Sequence, residues 1–259
     1  MTILITGASR GIGRALAIEY ARQPDVALAL LARDAQRLAD VARACRDAGA
    51  HVTLHPADAS SAEAYERALA DAWDAHGGLD VVVLNAGVGA PEWIADRSDG
   101  HRTIDSIVAT LDVNYLALVR AFDVFVPRMI ERGRGCIAGV TSMADVRGFP
   151  GAAGYCASKA AATSVLESAR VELRSHGIHV ITIRPGFVRT DMTARNEFPM
   201  PFMMDVDRAA RIMRRGIARG RSHIAFPWQM RCITGALRFV PAFMFAVLAG
   251  RSRRPRTRF

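Results

Sequence analysis

The sequence predicts an α/β fold: a doubly wound parallel sheet with helices on both faces, in a single domain over residues 1–259. Three observations predict it. Short, fully apolar, β-branched runs alternate with amphipathic stretches of helical length up to Pro185, the pattern of strands buried on both faces and joined by crossover helices. Glycine, proline and polar residues cluster where those runs end, which is where such a sheet collects its ligands. With 259 residues, 51% of them apolar, and no composition break that would mark a linker, the chain can bury one large core.

Residues 3–6 form the first strand, and Gly7-Ala-Ser-Arg-Gly11-Ile-Gly13 turns from it into a helix running to about Arg22. Glycines at these places let the backbone turn tightly and approach a pyrophosphate, while the helix that starts there offers free amides and a positive dipole end. The second strand covers residues 26–32. A site selecting NAD places an acid at the end of this strand for the ribose hydroxyl, whereas an arginine suits a 2′-phosphate. Ala32 stands where the acid is expected and Arg33 comes next, so Arg33 and Arg10 favour NADP. NAD is the alternative if Asp34 is the ribose ligand. The competing role for Asp34 is the cap of the helix over residues 34–48, which closes at Gly49.

Residues 52–55 are the third strand, ended by Pro56-Ala-Asp58, where Asp58 is either an acceptor for an adenine amino group or a loop acid. Ser60-x-x-Glu63 reads as a capping box for a helix that stops near Gly77-Gly78. The fourth strand is 81–84, and Asn85-Ala-Gly87 turns away from its end. From about Thr103 to Arg132 the pattern is helical with Asn114 inside it, an amide that caps a backbone break, holds water beside a site, or is satisfied in the core. Residues 136–140 are the fifth strand. A helix then runs to about His176-Gly177, and residues 178–183 are the sixth strand, ending at Arg184-Pro185-Gly186.

The most chemically pointed stretch is 139–159, a strand ending in Thr141-Ser142, a glycine-rich loop, and an alanine-rich helix that Tyr155 nearly opens. Tyr155 and Lys159 lie four apart, one turn from each other on one helix face. An ammonium beside a phenol lowers a pKa that starts at ~10 and suits it to acid–base work. A serine hydroxyl at the same place can donate to a carbonyl oxygen. Among 34 basic residues Lys159 is the only lysine, a compact ammonium where a forked guanidinium would not substitute.

In this order and at these separations, Thr6-Gly-x-x-x-Gly-Ile-Gly13, Asn85-Ala-Gly87, Asn114, Ser142, Tyr155-x-x-x-Lys159 and Pro185-Gly186 resemble the short-chain dehydrogenase/reductase family over roughly residues 1–190. The resemblance implies a Rossmann-type fold, a nicotinamide cofactor, and interconversion of an alcohol with a ketone or aldehyde. Carried over, Tyr155 would be the acid or base, Lys159 would depress its pKa and bind the nicotinamide ribose, Ser142 would orient the substrate oxygen, and Asn114 would support a water linking Lys159 to solvent. Gly7, Ser9, Arg10, Gly11, Ile12, Gly13, Arg33, Asp58, Asn85, Ala86, Gly87, Tyr155, Lys159, Pro185, Gly186, Val188 and Thr190 would line the cofactor, with the arginine pattern again suggesting NADP. Family members are commonly dimers or tetramers, which implies a homodimer or homotetramer. A dinucleotide-binding redox sensor without catalysis is the alternative class, but it has no need of the proton donor.

Beyond Gly186 the resemblance fades. Residues 190–204 form a loop rich in Met and Phe, either a lid over an apolar, lipid-like substrate or a segment packed on the core; sugar and polyketide substrates are also compatible. Residues 205–219 are helical with basic residues outward. Residues 233–248 are strongly apolar but are interrupted by Arg238 and Pro241, too short and broken for a membrane span. Residues 228–259 are expected to form a subunit contact or pocket wall, with peripheral attachment to a membrane as the minority alternative. Of the net charge of +9, five arginines lie in residues 251–259 and the rest are scattered, without the motifs of a nucleic-acid binder. Cys45, Cys136, Cys156 and Cys232 stand far apart, with no metal or redox spacing; they fit reduced, buried thiols, and with no charged leader the expected location is cytoplasmic.

Overall fold

A computed structural model describes residues 1–89, 91–94, 103–196 and 198–250. Seven strands among them form one sheet: β1 (Thr2–Thr6), β2 (Ala27–Ala32), β3 (His51–Pro56), β4 (Val81–Leu84), β5 (Gly135–Val140), β6 (Ile178–Pro185) and β7 (His223–Phe226), in the order β3-β2-β1-β4-β5-β6-β7. Every pair is parallel. This is the Rossmann-like architecture that the alternating pattern predicts.

The apolar runs have no polar alternation because both faces are covered. Ile3 and Ile5 of β1 pack into one core while Leu4 between them packs into the other, and Val81 and Val83 are likewise divided from Val82 and Leu84. Successive side chains point to opposite faces, so a strand covered on both sides must be apolar throughout. The first core is closed by helices α1 (Gly11–Ala21), α2 (Ala35–Asp47) and, out of order, by the later helix over Val206–Ala218. The second is closed by α3 (Ala62–Asp74), α5 (Ala117–Arg132) and α6 (Ala153–Glu172), with α4 (Thr103–Leu111) packed on α6. Tyr65 and Phe125 are the bulkiest fully buried side chains there; burying one such aromatic ring contributes about 2–3 kcal/mol. Strand order reverses between β1 and β4, so their carboxyl ends part and leave a crevice.

Several expectations change. The capping box does not form: Ser61 is the N-cap of α3, and the Ser60 amide and hydroxyl both donate to Asp58. Asp58 takes the Ser60 amide that the Glu63 carboxylate would accept in a capping box, and the helix starts one residue later. Asp34 does cap α2, accepting from the Arg37 amide at 3.0 Å. The expected helix over 103–132 is broken by a π turn at Asp112–Leu116, which carries Asn114. Strand β7 was not anticipated; four residues between Gly220 and a proline carry too little pattern. After α7 (Val206–Ala218), the apolar C-terminal stretch folds as two helices, α8 (Trp228–Leu237) and α9 (Ala242–Ala249), parted at Pro241. No described helix is long and apolar enough to cross a membrane. Cys45 and Cys156 are buried and Cys136 half-buried, but Cys232 is exposed: α8 buries Met230 and Thr234, four apart on one face, and Cys232 lies on the other. Residues 251–259, the basic tail, lie outside the described residues.

Candidate active site

The crevice is held open by main-chain geometry. Thr6, the last residue of β1, accepts hydrogen bonds on its hydroxyl from the Asn85 and Ala86 amides, each at 3.0 Å, and Asn85 Nδ2 donates to the Thr6 carbonyl at 3.0 Å. This clamp ties the end of β1 to the end of β4. Gly7 follows with φ +66°, and an added Cβ there would lie 2.9 Å from Ala86 Cα. At Gly13 the added Cβ would sit 2.3 Å from the Gly7 carbonyl oxygen, so only glycine lets α1 start so close to β1. Arg10 is the N-cap of α1 and its side chain makes no capping hydrogen bond, leaving amides and a positive dipole end toward the crevice.

From there a cavity of about 440 Å³ runs to the N-terminus of α6. Every residue expected to line a cofactor borders it except Gly13, which lies behind the glycine turn as packing; of the four expected catalytic residues, Ser142, Tyr155 and Lys159 border it and Asn114 does not. At the β2 end, Arg33 pairs with Asp58 at 3.2 Å, and Arg37, which sequence analysis missed, pairs with its cap Asp34 at 3.4 Å. No acid among the described residues pairs with Arg10. Burial alone would raise the Asp58 carboxyl, but the bonds from Ser60 and Arg33 outweigh it and hold its pKa below the usual value.

At the other end, Ser142 leaves β5 and caps a short 3₁₀ turn, its oxygen accepting from the Ala144 amide at 3.1 Å. Its hydroxyl proton therefore remains to be donated on the side of the cavity that Tyr155 also borders. The Tyr155 phenol is enclosed by protein although the residue keeps some solvent access along the cavity. Burial raises its pKa, only partly offset by Ser142, and the Asp145 charge raises it further. This departs from the expected depression by Lys159. The Lys159 amine instead donates to the Val140 carbonyl at 2.9 Å and lies 5.9 Å from the centroid of the Tyr155 ring. Only 4% exposed, it is pushed down by burial to about 8. Burial raises the Cys156 thiol above its usual value, in keeping with a packed helix residue.

Asn114 spends its amide on structure. Nδ2 donates to the Val88 carbonyl at 2.9 Å and to Ser158 Oγ at 3.0 Å, and Oδ1 accepts from the Val88 amide at 2.8 Å. Both donors are thus used in bolting the loop after β4 to α6, so any water held for Lys159 would have to rely on the second lone pair of Oδ1.

Glu92 carries no signal in the sequence. It is 2% exposed, and its carboxylate caps α6: Oε2 accepts from the Gly154 amide at 2.6 Å and the Tyr155 amide at 3.1 Å, and Oε1 from the Thr110 hydroxyl at 2.6 Å. A Cβ on Gly154 would come within 2.8 Å of that carboxylate. The cap is contributed from 62 residues away in sequence, so no local spacing signals it. Asp145 is similarly hidden; its carboxylate accepts from Thr163 at 2.8 Å and from Arg184, behind Ser142.

The model of the short chain dehydrogenase family matches residues 1–199. An uncharacterized oxidoreductase of Myxococcus xanthus (strain DK1622) is 40% identical over 257 residues, 97% of either chain. An 11-beta-hydroxysteroid dehydrogenase-like protein of Arabidopsis thaliana is 32% identical over 231 residues, 87% of this chain and 73% of its own. A solved short-chain dehydrogenase from Sphingobium yanoikuyae, in complex with NADPH, is similar with a TM-score of 0.78 at 26% identity, covering 100% of this chain and 98% of that one. Sheet order, crevice and matched length agree, and the chain belongs to the short-chain dehydrogenase family of oxidoreductases.

Proposed function

We propose that this enzyme is an NADP(H)-dependent oxidoreductase that interconverts a ketone or aldehyde with an alcohol, with Tyr155 as acid or base, on an apolar or lipid-like substrate. The observation that carries it is one cavity bordered at one end by the Ser142 hydroxyl, the Tyr155 phenol and the Lys159 amine, and at the other by Arg10, Arg33 and the uncapped start of α1.

The residues present fit a dinucleotide. The glycine turn packs so closely that a Cβ at Gly7 or Gly13 would meet backbone, the bare first turn of α1 suits a diphosphate, and Arg10 and Arg33, joined by Arg37, suit a 2′-phosphate. NADPH in the Sphingobium relative supports the same choice. A dinucleotide held there would supply or accept the hydride.

The chain's own residues handle the proton. Burial keeps the Tyr155 phenol protonated, the state from which it can donate to a carbonyl oxygen as that oxygen gains charge. Ser142, its oxygen already occupied by the Ala144 amide, directs its O–H to the same substrate oxygen. In the reverse direction the Tyr155 oxygen, as phenolate, takes the proton from the alcohol, a transfer favoured by the burial that raises its pKa. Met192 at the cavity wall supports an apolar substrate, as does the steroid name of the Arabidopsis relative. A homodimer or homotetramer is part of the proposal, supported by Val108 on α4 and Val171 on α6, 55% and 78% exposed; light scattering measures it.

The test is Tyr155→Phe, assayed by NADPH absorbance against a panel of carbonyl compounds beginning with long-chain ketones. NADPH affinity should be unchanged while turnover falls by roughly 10²–10⁴-fold. A variant that turns over at the wild-type rate removes Tyr155 from the chemistry.

A further inference from the structure

The C-terminal helix pair carries an apolar face that the cavity does not use. Arg147, from the loop between Ser142 and Tyr155, anchors the junction of α8 and α9: its guanidinium donates to the Leu237 carbonyl at 3.2 Å and to that of Val240, and lies over the Phe245 ring, 5.3 Å from its centroid. Phe149 packs edge-on against the same ring at 5.9 Å. One side of α9 is thereby docked on the protein. The other side points outward, with Phe243 71% and Val247 63% exposed; Phe239, in the turn before α9, is 88% exposed, and Trp228 at the start of α8 is 70% exposed. Phe243 and Val247 are four apart, on one helix face. Large apolar side chains gathered this way mark an interaction site.

Charge is segregated onto the same end of the chain. After Asp207 the sequence has thirteen arginines and no aspartate or glutamate, so residues 208–259 carry +13 and, since the whole chain carries +9, residues 1–207 carry −4. Arg231 and Arg238 of this group are exposed beside the apolar face, and five more follow Gly250.

We propose that the α8–α9 face docks on an anionic lipid bilayer, with Phe239, Phe243 and Val247 entering the headgroup boundary and the exposed Arg231 and Arg238 meeting lipid phosphates. Apolar insertion and cationic attraction acting together are what such a surface binds through. A second copy of this chain is the weaker occupant, because symmetric pairing of this face brings two acid-free, arginine-rich segments together. A nucleic acid would use the charge and leave the aromatic face bare. At eight residues α9 is ~12 Å long, so it lies in the interface and does not cross it. The binding needs no turnover, so it stands or falls independently of the proposed reaction.

The experiment is co-sedimentation of the full chain with vesicles of phosphatidylcholine alone and of phosphatidylcholine mixed with phosphatidylserine, at low and high salt. Expected is binding to the mixed vesicles that weakens with salt, and a loss of at least ~30-fold in partitioning for Phe243→Ser combined with Val247→Ser. Both positions are exposed and outside the catalytic cavity, so the variant should keep its fold, judged by circular dichroism and by NADPH affinity. Failure of the wild type to bind mixed vesicles overturns the proposal. So does unchanged vesicle binding by the double variant, whether because the tail arginines alone suffice or because the variant instead dissociates an oligomer, which would make this face a subunit contact.

Discussion

Replacing Glu92 with alanine should cost about 3 kcal/mol of stability, although Glu92 does not border the catalytic cavity. The carboxylate is 2% exposed and serves three donors: the Gly154 and Tyr155 amides and the Thr110 hydroxyl. Alanine leaves all three unpartnered in a site closed to bulk water, at ~1–3 kcal/mol per donor, less what an entering water recovers and less the relieved cost of burying a charge. For a chain of this size that corresponds to a fall in Tm of roughly 6–12 °C. Glutamine separates capping from mere bulk. With its oxygen toward the two amides, glutamine keeps their acceptor, and its NH₂ can donate to the Thr110 oxygen, so that only the Thr110 O–H loses its partner; Glu92→Gln should therefore lose only ~1 kcal/mol. Tyr155 is held by its own amide in this cap, so Glu92→Ala should also lower kcat while leaving NADPH affinity near wild type. Urea unfolding and steady-state kinetics measure both. An alanine variant within ~0.5 kcal/mol of wild type, or a glutamine variant no better than alanine, refutes the capping argument.

Gly13→Ala places a methyl 2.3 Å from the Gly7 carbonyl and should destabilise the fold and abolish dinucleotide binding; calorimetric titration with NADPH showing wild-type affinity would contradict the packing. Arg10→Ala and Arg33→Ala should each weaken NADPH by about tenfold while hardly changing NADH, the loss of one charge-assisted bond to phosphate, and equal losses for both cofactors would reassign the arginines. Lys159 has a folded-state value of about 8 against 10.5 when unperturbed, so its charged form is a burden that is full below pH 8 and fades as pH rises towards 10.5. Lys159→Met should therefore gain on wild type at pH 7, relative to pH 10, by about 2.5 kcal/mol; a stability difference independent of pH would mean that the amine titrates normally.

The wall of the cavity was legible because it is built from short-range rules. Glycines that must turn, an aspartate that must cap, and a tyrosine and lysine one helical turn apart all act within a few residues of one another, and the apolar runs placed them at strand ends. Asp34 and the Gly7–Gly13 turn behave as their local chemistry requires. The capping box at Ser60 failed for the same kind of reason seen from the other side: Asp58, only two residues earlier, already accepts the amide that Glu63 would have taken.

By itself, then, the sequence determined the parallel layered fold and which residue types face the crevice, since period, turn chemistry and helix spacing are properties of the local chain. Only the tertiary structure decided how those residues are held and charged. Glu92 reaches its helix across 62 positions, Arg33 meets Asp58 from a neighbouring strand end, and Tyr155 is raised, not lowered, because the folded protein strips water from its phenol. Those effects depend on burial and on distances between segments remote in sequence, and neither exists until the chain has closed on itself.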